Sequence, residues 1–201
     1  MIDDGRRTFL KECAAFAAAA STPLNVRQSL AVNIPGSSRP AAQHIAYVLI
    51  DERVEEACAF AASLRAAGAS VLSAIQTDLA ELWRSELRSA CLEGNAIAGL
   101  TAHSALFVCA GLGREHGVRV RHEAQHDCRG GLVLSHRLPA GQRPPGFDGL
   151  LAQAGAGWPQ VLAGYLAGLP SKNAHLHAAH IQTSARRSAT HPGTLFSWLI
   201  G

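Results

Sequence analysis

Apolar residues fall along this chain in short blocks divided by polar punctuation, and the spacing inside each block changes from one to the next. Ile45-Ala46-Tyr47-Val48-Leu49-Ile50 is nearly unbroken apolar sequence closed by Asp51-Glu52, a run that predicts a strand buried on both faces. Over 54–67 the apolar positions recur at helical spacing instead. Val54, Ala57, Cys58, Ala61 and Leu64 share one face, and Gly68 is placed to end the helix. Residues 69–75 predict a second strand. Thr77 or Asp78 then caps a helix whose apolar face carries Leu79, Leu82, Trp83, Leu87 and Cys91, with Gly94 at its end. A third short run, 96–100, turns at Thr101 into a helix over 102–116 closed by Gly117.

Beyond this point the texture changes. Residues 118–122 alternate apolar and charged side chains, the pattern of a strand with one solvated face. Gly130-Gly131 followed by Leu132-Val133-Leu134 predicts its hairpin partner. Residues 139–157, rich in Pro and Gly, read as a long loop. Trp158-Pro159 starts a helix to about residue 169, 171–193 is polar and His-rich, and 194–200 is a last strand. Strands alternating with helices of about a dozen residues predict βαβ units and a parallel sheet in the first half; the second half is more antiparallel in character. The expectation is an α/β three-layer sandwich with a mixed, partly parallel sheet, Rossmann-like in its first half. It occupies 44–201 as a single domain, with a Pro- and Ser-containing linker or arm over 21–43. Leu49, Val71 and Leu106 are expected in its core.

Composition narrows the class. Of 201 residues 48% are hydrophobic and 16% charged, enough for a core, although much of the apolar content is alanine. With 18 Lys+Arg against 15 Asp+Glu and no basic run, nothing forms the electrostatic footprint of a nucleic-acid binder. No apolar stretch approaches the ~20 residues that span a bilayer. No cysteine pair has C-x-x-C spacing, so no metal or redox pair is read from the thiols.

The N-terminus carries a more specific signal. Arg6-Arg7-Thr8-Phe9-Leu10-Lys11 is followed by the weakly apolar 13–20, and Ala18-Ala19-Ala20 before Ser21 has the form of an A-x-A cleavage site. Residues 1–20 resemble a twin-arginine signal peptide. The resemblance implies recognition by the twin-arginine export machinery, folding before export, and delivery to the periplasm; it names no cofactor.

Four constellations in the domain have chemical potential. Ligands of open α/β sheets bind beyond the carboxyl ends of the parallel strands, and that edge is expected to gather Asp51, Asp78, Thr101, His103 and Ser104. The last three open a helix, whose unpaired N–H groups favour a small anionic ligand. Gly99-Leu100-Thr101-Ala102-His103 has the strand-to-helix setting of the G-x-S-x-G elbow of α/β-hydrolases, and Asp127 or Asp148 and then His175, His177, His180 or His191 follow in the matching order. It departs from that pattern with threonine at the nucleophile position and His103 for the final glycine. His122-Glu123-Ala124-Gln125-His126 is a literal H-E-x-x-H, which on a helix holds zinc between its two imidazoles. In a strand the two histidines would share a face some 13 Å apart, at ~3.3 Å per residue, so no metal site is assigned there. His175, His177 and His180 lie in a polar stretch read as connecting sequence. The leading expectation is an exported protein that binds a small ligand or a partner as an accessory to another enzyme. A hydrolase, metal-dependent through His122 and His126 or acyl-transferring around Thr101, is the competing class.

Overall fold

Ile45–Ile50 forms β1, and Val48, Leu49 and Ile50 are fully buried, as unbroken apolar sequence requires of a strand covered on both faces. The computed structural model describes residues 44–129, 133–139, 146–168, 178–184 and 193–201; the signal-like segment, the linker, His175, His177 and His191 lie outside them. After β1, α1 (Glu55–Ala66) buries Ala57, Phe60, Ala61 and Leu64. It places Glu55 and Glu56 in its first turn and Arg65 in its last, charges that suit the helix dipole. β2 (Ser70–Ser73) is shorter than expected and pairs only with β1. Val71 is therefore half-buried rather than core: an edge strand leaves one flank without a neighbour.

Asp78 caps α2 (Leu79–Leu82), which passes through a π-helical turn (Trp83–Leu87) into α3 (Arg88–Leu92). β3 (Ala96–Thr101) is buried at all six positions. α4 spans His103–Glu115 and Gly117 closes it at φ +74°, a conformation that glycine adopts without penalty. β4 (Val120–Arg129) and β5 (Val133–Pro139) form the expected hairpin, with β4 running well past the alternating segment that announced it.

Two elements depart from expectation. The long loop contains α5 (Phe147–Gln153), a two-turn helix anchored by Phe147 and Leu151, and a 3-10 turn (Gly155–Gly157) that leads into α6 (Trp158–Ala167). Two apolar anchors among glycines give too little periodicity to reveal a helix. The His-rich segment contains β6 (Ala178–Ser184), which buries Ile181 and Thr183 on one side; half of its buried side is polar and hides in a polar sequence. β7 (Thr194–Ile200) is a strand as expected.

The seven strands form one mixed sheet in the order β2-β1-β3-β7-β4-β5-β6. β1 is parallel to β2 and β3, and every later pairing is antiparallel. This is the α/β sandwich with a mixed, partly parallel sheet that the hydrophobic pattern predicts. Because strand side chains alternate between faces, two cores result. On one face Leu49, Ile97, Trp198 and Ile200 pack with Leu82, Trp83, Leu87 and Cys91 and with Leu106 and Cys109 of α4, which places Leu49 and Leu106 in the core as expected. Val48, Ile50, Leu100 and Leu199 alternate to the other face, where α1 and α6 pack together. Among the described residues no helix is long and apolar enough to cross a membrane.

Candidate functional site

Ile50 pairs with Leu100 on one side and Ser73 on the other. Asp51 and Thr101 therefore leave the sheet side by side, with the β2–α2 turn and Asp78 beyond the same edge. The topology gathers the expected site region, but three of its five side chains are engaged within the scaffold. Asp51 is buried and its carboxylate accepts from the backbone N–H of Arg53 at 3.1 Å and from the Arg53 guanidinium at 2.9 Å to each oxygen. Those Arg53 hydrogen bonds hold the acid below the ordinary aspartate range against the opposing effect of burial. Asp78 accepts from the N–H groups of Ala80 and Glu81 and is a helix cap.

Thr101 ends β3 rather than opening α4, and its hydroxyl points inward. It donates to the Ala102 carbonyl at 2.9 Å and accepts from the buried indole Nε1–H of Trp198 at 3.0 Å. Gly99 belongs to the same arrangement: a Cβ there would lie 2.1 Å from Cε2 of Trp198. The Gly99-Leu100-Thr101 sequence thus seats a tryptophan across β3, and the hydroxyl of an acyl hydrolase's nucleophile is already spent on both its donor and its acceptor role. Of the acids that follow, Asp127 accepts from Gln125 Nε2 and Thr194 Oγ1, and Asp148 is exposed on α5.

His103 and Ser104 remain, both exposed. They open α4, whose N-cap Ala102 makes no side-chain capping hydrogen bond, so the first N–H groups have no acceptor from the cap residue and carry the positive end of the helix dipole behind them. The His103 ring lies 4.9 Å from that of Phe196 and 6.4 Å from that of Phe107. Phe107 is 69% exposed and Val108 37%, an apolar surface directly beside the uncapped turn. On the opposite edge of the sheet an open groove of ≈ 380 Å³ is lined by His44, Tyr47, Ser70, Ser89, Glu93 and Asn95. Burial and then the nearby Glu86 push its Tyr47 phenol up.

The H-E-x-x-H segment lies wholly within β4. Its strand geometry puts Glu123, paired with Trp198, on the face opposite His122 and His126, where it is exposed, so the base required for zinc hydrolysis is not on the histidine side. The two imidazoles nevertheless come closer than their backbone spacing suggests, because they lean toward one oxygen. Ser197 Oγ lies 3.0 Å from His122 Nε2 and 2.8 Å from His126 Nε2. His126 Nδ1 continues to His136 Nδ1 at 2.7 Å, and His136 Nε2 to Thr183 Oγ1 at 3.0 Å, whose hydroxyl donates to the Leu151 carbonyl at 2.7 Å. All five side chains are buried, with Trp158 against the rings of His126 and His136 and the Tyr165 ring meeting His122 edge to face. Among the described residues no cluster of three or more His, Cys, Asp or Glu has the geometry to hold a metal ion.

Sequence reasoning missed His136, Thr183, Ser197 and the covering Trp158 and Tyr165. One signal was available: with Gly131 taken as the midpoint between the two strands, counting five residues outward each way sets His126 opposite His136. Ser197 and Thr183 gave none, since their neighbours are remote in sequence. No protein-family model, curated protein or solved structure matches the chain.

Proposed function

We propose that this is an exported binding protein, an accessory that engages a partner through the amino end of α4. The observation that carries the reading is the pairing, at one place, of an uncapped helix start bearing His103 and Ser104 with the exposed Phe107 and Val108. Unpaired N–H groups and a hydroxyl suit a carboxylate, and the Phe107, Val108 and Phe196 surface suits an apolar side chain. The matching partner chemistry is a carboxylate flanked by an apolar group, as a partner protein's acidic-apolar segment presents it. A hydrolytic reading has less support, because the Thr101 hydroxyl is committed to Trp198 and Ala102 and Glu123 faces away from the histidines. The six residues Arg6 to Lys11 support export through the twin-arginine machinery to the periplasm.

N-acetylphenylalanine, a carboxylate beside an aromatic ring, is a minimal probe of this surface. Titrated into the 15N-labelled protein, it is expected to shift the amides of His103, Ser104 and Ala105 saturably, more strongly than acetate does, and to lose that advantage in Phe107→Ser. Amide shifts scattered over the surface, or none at 103–105, would refute the assignment.

A further inference from the structure

The groove between α3 and the edge strand β2 plays no part in binding at α4, and it is built around Tyr47. That residue pairs with Ser70 across the β1–β2 ladder and packs against the α2–α4 side of the sheet. Ser70, Ser89 of α3 and the α3 C-cap Glu93 line the groove with it, and Ala46 and Ala90 add apolar lining. The Tyr47 phenol hydrogen-bonds Glu86 and lies within electrostatic reach of Glu93. Two carboxylates therefore serve one aromatic ring. The neutral groups beside them are already engaged: Ser89 Oγ–H donates to the Glu86 carbonyl at 2.9 Å, and His44 Nδ1–H donates to Asn95 Oδ1 at 3.2 Å.

The charge here runs against what a helix prefers. The carboxyl end of a helix is negative and is ordinarily matched by a basic residue in its last turn. α3 has none there, and its C-cap is Glu93 instead. The arginines of this helical stretch are directed elsewhere. Arg84 is paired with Glu81 at 2.8 Å, and Arg88, two residues on from Glu86, falls on the opposite side of the helix from it. Arg65 belongs to α1, in the layer on the other face of the sheet. Glu86 and Glu93 are both exposed, so water bears the arrangement in the free protein and a cation placed between them relieves it. Local preferences broken in this way are concentrated at functional positions.

We propose that this groove binds a small organic dication, an alkyl diamine whose two ammonium groups reach Glu86 and Glu93 while its chain lies along the Tyr47 ring. The span fits. The two glutamates are seven residues apart, two helical turns or roughly 10 Å at ~1.5 Å per residue. With a hydrogen bond of ~2.9 Å at each end, nitrogens roughly 5–7 Å apart bridge them, about the reach of a four- or five-carbon chain. A groove of ≈ 380 Å³ holds a molecule of that size. The methylenes meet Ala46, Ala90 and the Tyr47 ring, and an aromatic face also attracts an ammonium group. Among the described residues no three His, Cys, Asp or Glu side chains gather to hold a metal ion, so the matching chemistry is an ammonium carried on carbon rather than a bare ion.

Amide shifts of the whole 15N-labelled protein, titrated with 1,5-diaminopentane, with pentylamine and with KCl at matched ionic strength and neutral pH, test the site. The diamine is expected to shift the amides of Ser70, Ser89, Gly94 and Asn95 saturably, and KCl is not. One added exposed ion pair is worth up to about fivefold in affinity, so the diamine should bind about threefold to fivefold more tightly than pentylamine. Glu86→Gln and Glu93→Gln, both at exposed positions, should each remove that advantage, while Glu115→Gln, which deletes the same charge from the exposed end of α4, should keep it. No saturable shift at these amides would overturn the proposal. So would a diamine no tighter than pentylamine, or a loss in Glu115→Gln equal to that in Glu93→Gln.

Discussion

Replacing Thr101 with valine keeps the shape of the side chain and removes one hydroxyl, so the whole effect falls on the Trp198 indole. That ring is fully buried and its N–H finds its acceptor at Thr101 Oγ1, 3.0 Å away. Without the hydroxyl the indole donor is stranded in the core, a loss of ~1–3 kcal/mol. The Ala102 carbonyl also loses a donor, but Ala102 is exposed and water replaces it. A total near 2 kcal/mol is expected, and it should depend on the tryptophan. In a Trp198→Phe background the stranded donor is gone, so Thr101→Val should cost at least ~1 kcal/mol less than in the wild type. Gly99→Ala obeys the same logic from the steric side: a Cβ 2.1 Å from Cε2 of Trp198 forces the ring to move. Overpacking of this kind costs ~1–3 kcal/mol or more and should be relieved by the smaller phenylalanine ring. Urea unfolding followed by far-UV circular dichroism, with a common m-value across the set, gives each corner of the two cycles. A Thr101→Val cost below ~0.5 kcal/mol, or the same cost in both backgrounds, would mean that Thr101 does not hold the tryptophan.

Acid should destabilise the fold through His122, whose folded pKa burial depresses to about 3 against an ordinary value of 6.5. The unfolded chain binds the proton first, so stability present above pH ~6.5 is lost as the pH falls toward 3. By pH 5 the loss from this one residue is about 2 kcal/mol, and a urea midpoint unchanged between pH 7.5 and 5 would contradict it. Burial pushes the Cys91 and Cys109 thiols up to about 11 and about 12, so in a Cys13→Ser/Cys128→Ser protein both should react with maleimide only on the timescale of unfolding. Rapid labelling of either at pH 7.5 would place it at the surface instead. Arg6→Lys with Arg7→Lys should abolish export while the retained protein keeps its circular dichroism spectrum; normal periplasmic levels of the double variant would remove the signal assignment.

Much of the fold was legible because burial on both faces and helical periodicity leave direct marks. β1 is a nearly unbroken apolar run and β3 a shorter, more ambiguous one, and Leu82, Trp83, Leu87 and Cys91 lie on one face despite the π-helical turn at Trp83–Leu87. What escaped was carried by few residues or by pairing remote in sequence. α5 rests on two anchors, β6 hides a buried threonine in a histidine-rich stretch, and β7 inserts between β3 and β4 although it is last in the chain. The site divided along the same line. The sheet edge was predictable from βαβ order, whereas the inward turn of Thr101 depended on Trp198, almost a hundred residues later. The two histidines of H-E-x-x-H were visible as a pair; that they share a serine was not.

The central functional claim, binding at the amino end of α4, is tested most directly by a photo-crosslinking amino acid at position 107 in cells that export the protein, with position 160 on the opposite helical layer as control. Gln160 is exposed on α6, so both probes meet the same surroundings. One discrete adduct is expected from position 107, absent from position 160, and it should weaken when His103→Ala and Ser104→Ala are added to a protein of unchanged stability. No discrete adduct at 107, or the same adducts from both positions, would contradict it.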